Sequence, residues 1–211
     1  MTEEEKIFAG RLFTPADAGL KAKKLRAHNL CTAYNQTFED ETEKRASILS
    51  RLFGALGEGS VLQGPIYIHY GCHTKIGAHF FANFHLTIQD DAPVTIGDNC
   101  DFGPNVTIVT PVHPMLPDER RALRDKRGAE RHMCYAKPVE IGSDCWFGAN
   151  VVVCPGVKIG AGSVIGAGSV VVRDIPAGVF AAGSPCRVIR ELPERDSVRQ
   201  KPELGIEELC L

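Results

Sequence analysis

From Ile141 the chain divides without a gap into six-residue blocks: IGSDCW, FGANVV, VCPGVK, IGAGSV, IGAGSV and VVRDIP. The first residues of the blocks, Ile141, Phe147, Val153, Ile159, Ile165 and Val171, are all apolar. The fifth residues, Cys145, Val151, Val157, Ser163, Ser169 and Ile175, are all small or β-branched, and Gly holds the second place in four of the six blocks. A fixed repeat constrains the fold before any other feature does. A period of six matches neither a helical face of 3.6 residues nor the alternation of a hairpin. It matches a short flat strand followed by a corner, with two inward positions per block for a core and Gly supplying backbone freedom at the corner. Three blocks close a triangular coil. Coils stacked about 4.8 Å apart cover one another's hydrogen-bonding edges, so the fold expected is an all-β solenoid, a parallel β-helix of hexapeptide repeats.

The same pattern recurs upstream in IGAHFF from Ile76, IGDNCD from Ile96 and FGPNVT from Phe102, with Ile108 opening a further block. The step from Ile88 to Ile96 is eight residues, which puts a register slip at Asp91-Ala92-Pro93. Residues 111–138 are charged and non-periodic and read as a loop thrown out of the coil. Long loops inside compact domains are usually functional or disordered. Here Pro111-Val112-His113-Pro114 is stiffened by its prolines, while the middle reads as solvated. Two stretches near the start, Ala18 to Tyr34 (Leu20, Leu25, Leu30) and Glu41 to Leu56 (Ile48, Leu49, Leu52, Phe53), have helix-compatible apolar spacing. Pro15 and Asp17 read as a helix entry, and Gly54, Gly57 and Gly59 as an exit. The organisation expected is a small N-terminal α-helical cap over 1–57, the β-helix over 58–190 with an excursion loop at 111–138, and a polar, flexible tail over 191–211.

A net charge of -2 gives no electrostatic reason to expect nucleic acid or a membrane surface as partner. No apolar run approaches the roughly 18 residues of a membrane span, and the acidic Glu3-Glu4-Glu5 is the opposite of a basic leader. None of the eight cysteines forms a C-x-x-C pair. They read as small, reduced core residues of a cytoplasmic protein.

Four segments carry a more specific signal: LFTPADAGLKAKKLRAHNL, FFANFHLTIQDDAPVTIGDNC, TPVHP and AAGSPCRVIRE. In this order, from Ile7 to about Arg195, the chain resembles the maltose and galactoside O-acetyltransferases, which include nodulation-type acetyltransferases. The resemblance implies a left-handed β-helix and a homotrimer with active sites between adjacent subunits. It also implies acetyl-CoA along the outside of the helix and a sugar acceptor under the protruding loop and the cap. The family's catalytic histidine falls on His113. The resemblance assigns acceptor contacts to Asp17, Asn83 and Asp91, with Asn83 also touching acetyl-CoA. His69 stands where relatives often carry a smaller sugar-contacting residue. Along the acetyl-CoA groove it places Trp146, Ala149, Ala167, Arg173, Arg187 and Arg190, with Val172 where the family often has Thr. The 111–138 loop is longer than in bacterial members.

The chemistry agrees with those residue types. A hydroxyl attacking a thioester needs a base rather than a covalent enzyme intermediate. Histidine suits that task, because its ordinary pKa of about 6.5 leaves it largely neutral near pH 7. An asparagine amide can donate to a developing oxyanion, and arginine forks meet phosphates well. Small residues such as Ala149 and Ala167 allow close approach of a pantetheine arm. No metal is expected. Two other readings compete. One is a non-catalytic hexapeptide-repeat scaffold, disfavoured by the coexistence of Asn83, Asp91, His113 and the arginines. The other is a zinc carbonic-anhydrase-like site built from His69, His73, His79 and His85, disfavoured because His79 and His85 are six apart and fall on different faces. The acceptor itself stays open among maltose, glucose, galactosides, a chitooligosaccharide and a small alcohol.

Overall fold

The computed structural model describes residues 1–124, 128 and 130–204. Its strands form three sheets of five, seven and five strands, parallel except for the last strand of the second, and successive coil strands go to the three faces in turn. The first face begins at Ala55–Leu56 and ends at Lys158–Ile159. The second runs from Val61–Leu62 to Val179–Ala182, and the third from Ile66–Ile68 to Val170–Val171. The solenoid reading therefore holds, and parallel pairing starts at Ala55, inside the segment assigned to the cap. The first positions of the blocks lie inside. Ile141, Phe147, Val153, Ile159, Ile165 and Val171 are each at most 3% exposed. The rings of Phe80, Phe102 and Phe147 stack along the axis at 5.0 and 4.4 Å.

The glycines of position two act differently from the expectation of corner freedom. Their φ values are ordinary. A Cβ on Gly97 would lie 2.4 Å from the Ser143 nitrogen, one on Gly142 2.5 Å from Ala161 N, and one on Gly148 2.6 Å from Ala167 N. Gly is required there because the next coil's backbone passes too close for a side chain. Left-handed backbone falls two places later, at position four. There the chain uses His79, His85, Asn99, Asn105, Asp144 and Asn150 as well as Gly162 and Gly168. Asn and Asp tolerate that conformation best among residues with side chains, and here they also ladder between coils. Asn99 donates to Asp144 at 3.1 Å, and Asn105 to Asn150 at 3.0 Å.

Three helices rather than two precede the coils: α1 (Glu3–Phe8), α2 (Ala18–Asn35) and α3 (Thr42–Leu52). Leu25 is 62% exposed, and the buried stripe of α2 is Leu20, Ala27, Leu30, Cys31 and Tyr34. Gly54, Gly57 and Gly59 lie past the helix and flank the first rung instead of ending α3. Helix α2 seals the open edge of the third face. The Asn35 amide accepts from Ile66 N at 2.8 Å and donates to Ile66 O at 2.9 Å, as a neighbouring strand would. At the far end, Arg187–Glu191 closes the second face by antiparallel pairing with Val179–Ala182. The described part of the tail makes short 3-10 turns, and residues 205–211, including Cys210, lie outside the described residues.

The 111–138 segment is an arm with a ladder rather than a structureless loop. Pro111–Val112 pairs with Tyr135–Ala136, and Leu123–Arg124 pairs with Glu130–Arg131, both antiparallel. A short turn of helix, Pro117–Arg120, lies between them. At its base Phe13 and Cys134 exchange backbone hydrogen bonds at 2.9 and 3.0 Å, so cap and arm share one small core with Ile7, Leu20, Tyr70 and Ala92. Among the described residues no helix is long and apolar enough to cross a membrane.

If position two is a matter of clearance, Gly97→Ala should destabilise the protein by about 1–3 kcal/mol in urea unfolding, the usual cost of overpacking. Gly162→Ala, where a Cβ meets nothing within 4 Å but φ is 68°, should cost only the left-handed backbone, about 1 kcal/mol.

Candidate functional site

The register of the coils sorts the candidate residues onto two corners. Where the chain leaves the second face, Asn83, Gly103, Gly148, Gly166 and Ala182 follow the paired residues Ala82, Phe102, Phe147, Ile165 and Ala181. Asn83, Gly103, Gly148 and Gly166 each donate a backbone N–H to the adjacent coil at 2.8–2.9 Å. Ala149 and Ala167 are the next residues round the same corner, joined by Gly168 N to Ala149 O at 2.8 Å. Arg187, paired with Ala182, ends the row. Asn83 and Arg187 thus bound a strip of small residues about 24 Å long, at about 4.8 Å per strand step. Trp146 stands on the second face beside this strip and is 57% exposed. Arg190 lies at the end of that face over the Phe180 ring, with its guanidinium held by both oxygens of Asp196. The Asn83 Oδ1 accepts from Phe84 N at 2.8 Å.

The other residues gather where the chain leaves the third face. His69 follows Ile68, and Val172 follows Val171 in the same column, with Arg173 one place on. Asp91 lies beyond Gln89 in this corner. His113 follows the first strand of the arm and is exposed. The structure does not bring Val172 and Arg173 to the corner of Ala149, Ala167 and Arg187. One whole face separates the two groups. Asp17 caps α2, its Oδ1 accepting from Leu20 N at 3.0 Å, and that bond accounts for an acidic residue at this position.

Asp91 is the most unusual group in the third-face corner. It is 3% exposed, and its Oδ2 has no hydrogen-bond partner among the described residues. Burial, followed by the neighbouring Asp90 carboxylate, raises its pKa to about 6. Asp90 is fully engaged as a structural acceptor, taking Tyr70 N at 2.7 Å and Thr74 Oγ1 at 2.9 Å. His69 packs edge-on against Tyr70 and His28. Burial, helped by Lys24 and His28, lowers its pKa to about 4, so it is a neutral imidazole near pH 7. A cleft of about 390 Å³ runs from His69 and His28 along α2 to Asn35 and Tyr67.

The four histidines weighed for zinc do not converge. His79 and His85 are left-handed corner residues, and His73 is buried with both ring nitrogens engaged. Among the described residues one group of metal-type donors comes within 4.8 Å: Glu4, Cys72 and His73. Lys23 already bonds the Glu4 carboxylate there.

Comparison with known proteins shows the family. Residues 6–57 match the maltose acetyltransferase hexapeptide capping motif, and residues 138–173 match the bacterial transferase hexapeptide in six repeats. Residues 93–113 match the hexapeptide repeat of succinyl-transferase, a stretch that ends on His113. Galactoside O-acetyltransferase of Escherichia coli is 46% identical over 196 residues, which span 93% of this chain and 92% of that protein. The chain belongs to the galactoside and maltose O-acetyltransferase family. A solved galactoside acetyltransferase in complex with coenzyme A superposes with a TM-score of 0.85 at 46% identity, over 93% of this chain and 94% of that one. A hexapeptide-repeat acetyltransferase of Vibrio cholerae complexed with acetyl coenzyme A superposes at 0.78 and 34% identity, over 92% and 100%. As a member of this family the chain is an acyltransferase.

Two residues at the third-face corner escaped the sequence reading. The charge of Lys24, on α2, acts on His28, His69 and Asp91 together, and His28 forms the second wall beside His69. In the sequence both look like ordinary polar positions of an amphipathic helix. Their i, i+4 spacing from Leu20 was the available signal, because it puts Lys24 and His28 on one line of the helix that Leu20 buries.

The raised pKa of Asp91 means that the folded protein holds this proton more tightly than the unfolded chain. Its charge therefore opposes folding, and the cost grows as pH rises from about 4 through about 6. Asp91→Asn should raise stability at pH 7, by an amount of the order of 2 kcal/mol. It should also flatten the stability profile between pH 4 and 6. Paired denaturation curves at the two pH values check both signs.

Proposed function

We propose that the protein is an acetyl-CoA-dependent O-acetyltransferase that moves an acetyl group to a hydroxyl of a sugar. In this reading His113 is the general base, and the sites lie between the subunits of a cytoplasmic homotrimer. The acetyl donor follows from the family and from the strip between Asn83 and Arg187. The observation that carries the hydroxylic acceptor is Asp91, a buried carboxylate with one oxygen left unpaired. Such an oxygen gains most from a ligand that donates, and a sugar offers several O–H donors at fixed spacing.

The two corners support the assembly. Within one chain the groove of Ala149, Ala167 and Arg187 is a full face away from Asp91, His69 and His113. One cleft can hold both sets if the second-face corner of one copy meets the third-face corner of the next. Val172 and Arg173 then join the same groove from the neighbouring copy. Three of the five outward residues of the first face are charged, Lys75 and a Glu140–Lys158 pair at 3.0 Å, beside Ala55 and Thr95. Those of the third face are Tyr67, Thr87, Thr107, Val152 and Val170, without a charge. An uncharged face between two half-sites suits a contact between copies.

The reaction then needs no covalent enzyme intermediate. His113 takes the proton of the sugar hydroxyl as its oxygen bonds to the thioester carbonyl carbon. The negative charge moves to the carbonyl oxygen, where the Asn83 amide can donate. Collapse of that intermediate expels the CoA thiolate, which recovers the proton from His113. Asp91, with His69 and Lys24 beside it, orients the sugar, while Trp146 flanks the acyl end and Arg173, Arg187 and Arg190 meet the phosphates. Arg190 must leave Asp196 to do so.

Thiol release from acetyl-CoA across a panel of mono- and disaccharides tests the reading. Sugar-dependent release should fall by about 10²–10⁴ in His113→Ala with CoA binding retained; a rate near that of the wild type would remove His113 from the mechanism. Sedimentation should give three copies per particle, and full activity in a monomer would overturn the two-corner site.

A further inference from the structure

We propose that His73 is a positioning residue that ties helix α1 to the backbone of the Asp90–Asp91 turn, so that the N-terminal helix holds the acceptor carboxylate in place. The inference rests on the reading of Asp91 as the acceptor's partner. His73 Nδ1 lies 2.9 Å from both the Asp90 and Asp91 carbonyl oxygens, and Nε2 lies 2.8 Å from Glu4 Oε1. Both nitrogens face acceptors, so both act as donors and the ring is an imidazolium. The Phe8 ring of α1 packs edge-on against it at 5.0 Å, and Tyr70 covers it at 5.2 Å.

The turn has few other fixings. Ala92 N donates to Thr110 Oγ1 at 2.9 Å, and the Asp90 side chain is anchored by Tyr70 N and Thr74. The carbonyl side of Asp91 is held by His73. Helix α1 is in turn pinned by Lys23 on Glu4 and by Thr14 N on Glu3 Oε2 at 2.7 Å. A shift of α1 therefore passes through one ring to the residue whose Oδ2 awaits a donor. Nothing in the sequence spacing announces this link, because Glu4 and His73 are 69 residues apart.

The groups facing the ring are Glu4 from α1, with Lys23 of α2 behind it, and Tyr70, Cys72, Asp90, Asp91 and His69 from the coil. Burial opposes the charge on His73, but Cys72, Glu4 and Asp90 outweigh it and hold the pKa up to about 9. The tie is therefore complete below the ordinary histidine value and is lost as pH rises through about 9. On the acid side it fails only when Glu4 takes a proton, and Lys23 and His73 hold the Glu4 pKa below its usual value against the effect of burial.

The test is Glu4→Gln, half-buried and mild, with His73→Asn as a second variant and Cys72→Ser to remove the thiol's support of the His73 charge. The acceptor KM should rise about tenfold in both tie variants, the worth of one charged hydrogen bond. The acetyl-CoA KM should stay unchanged, and the wild-type rise in acceptor KM above pH 9 should begin at lower pH in Cys72→Ser, which removes one support of the His73 charge, and vanish in Glu4→Gln. Hydrogen exchange read on the same proteins is independent of any reaction. Amides of α1 and those of Tyr70, Gly71 and Ala92 should quicken together in Glu4→Gln. Quickening of α1 alone, or an equal loss of affinity for both substrates, would overturn the tie. Coupled exchange in a protein that acetylates no sugar would keep the tie and discard the functional reading instead.

Discussion

Parallel strands of two to four residues cannot hold a sheet by themselves, so each rung depends on the backbone groups of the rung above and below. Those groups meet only if the coils approach to the strand spacing at the corners as well as along the faces. The side chain is the obstacle. At five glycines in the second position of their blocks, Gly77, Gly97, Gly142, Gly148 and Gly160, a single methyl group would enter the next coil. Two residues later the obstacle is torsional, and His, Asn, Asp or Gly accepts the left-handed backbone. Inward packing of Ile, Val and Phe then fills a column whose width these two positions have already set.

That register also decides where chemistry can be placed. An insertion costs the ladder nothing if it leaves and re-enters at the same corner. The arm does so: Ile108 pairs with Val153, and Val139 resumes beside Val94. His113 is thereby carried outward on a strand rather than a floppy tip, and the arm's return strand is fastened to the cap through Cys134 and Phe13. The same regularity separates the two half-sites. Residues one block apart occupy different corners, so a rigid solenoid cannot fold Asn83 and Asp91 toward each other, and the proposed cleft between copies would be the geometric remedy.

Periodicity made the solenoid, its core positions and its interruption legible, because a six-residue repeat encodes both the face and the corner. Its reading of Gly was incomplete. Composition shows that Gly is favoured at position two, but the reason lies in a backbone 2.4 Å away that belongs to a residue 46 positions later, as with Gly97 and Ser143. The cap was read less well. Leu25 fits a helical spacing yet faces solvent, and α1 is too short and too acidic for any periodic signal. Asp17 shows the limit for sites. An acidic residue at a helix entry serves the helix whether or not it also meets a ligand, and sequence cannot separate the two. Asp91 differs from it through burial and an unpaired oxygen, both properties of the packed chain.

The electrostatics of the corner proposed for the acceptor follow from that packing. Placing Asp91 beside Asp90 away from water costs free energy that His73, a backbone hydrogen bond and Lys24 return only in part, since its pKa still stands raised to about 6. A ligand that donates to Oδ2 recovers part of it, and one that cannot leaves the whole penalty in place. Discrimination built on an unpaired buried group is steeper than discrimination by apolar fit. His69, kept neutral by burial, offers a donor and an acceptor but no charge, and Lys24 lies on the helix that closes the same corner. A polyhydroxylated acceptor can satisfy all three at once through alternating donors and acceptors. A simple alcohol can satisfy one. The preference for a sugar over a small alcohol would then arise less from the shape of the cleft than from the unpaired oxygen of Asp91, and it depends on the turn that holds Asp91 staying fixed.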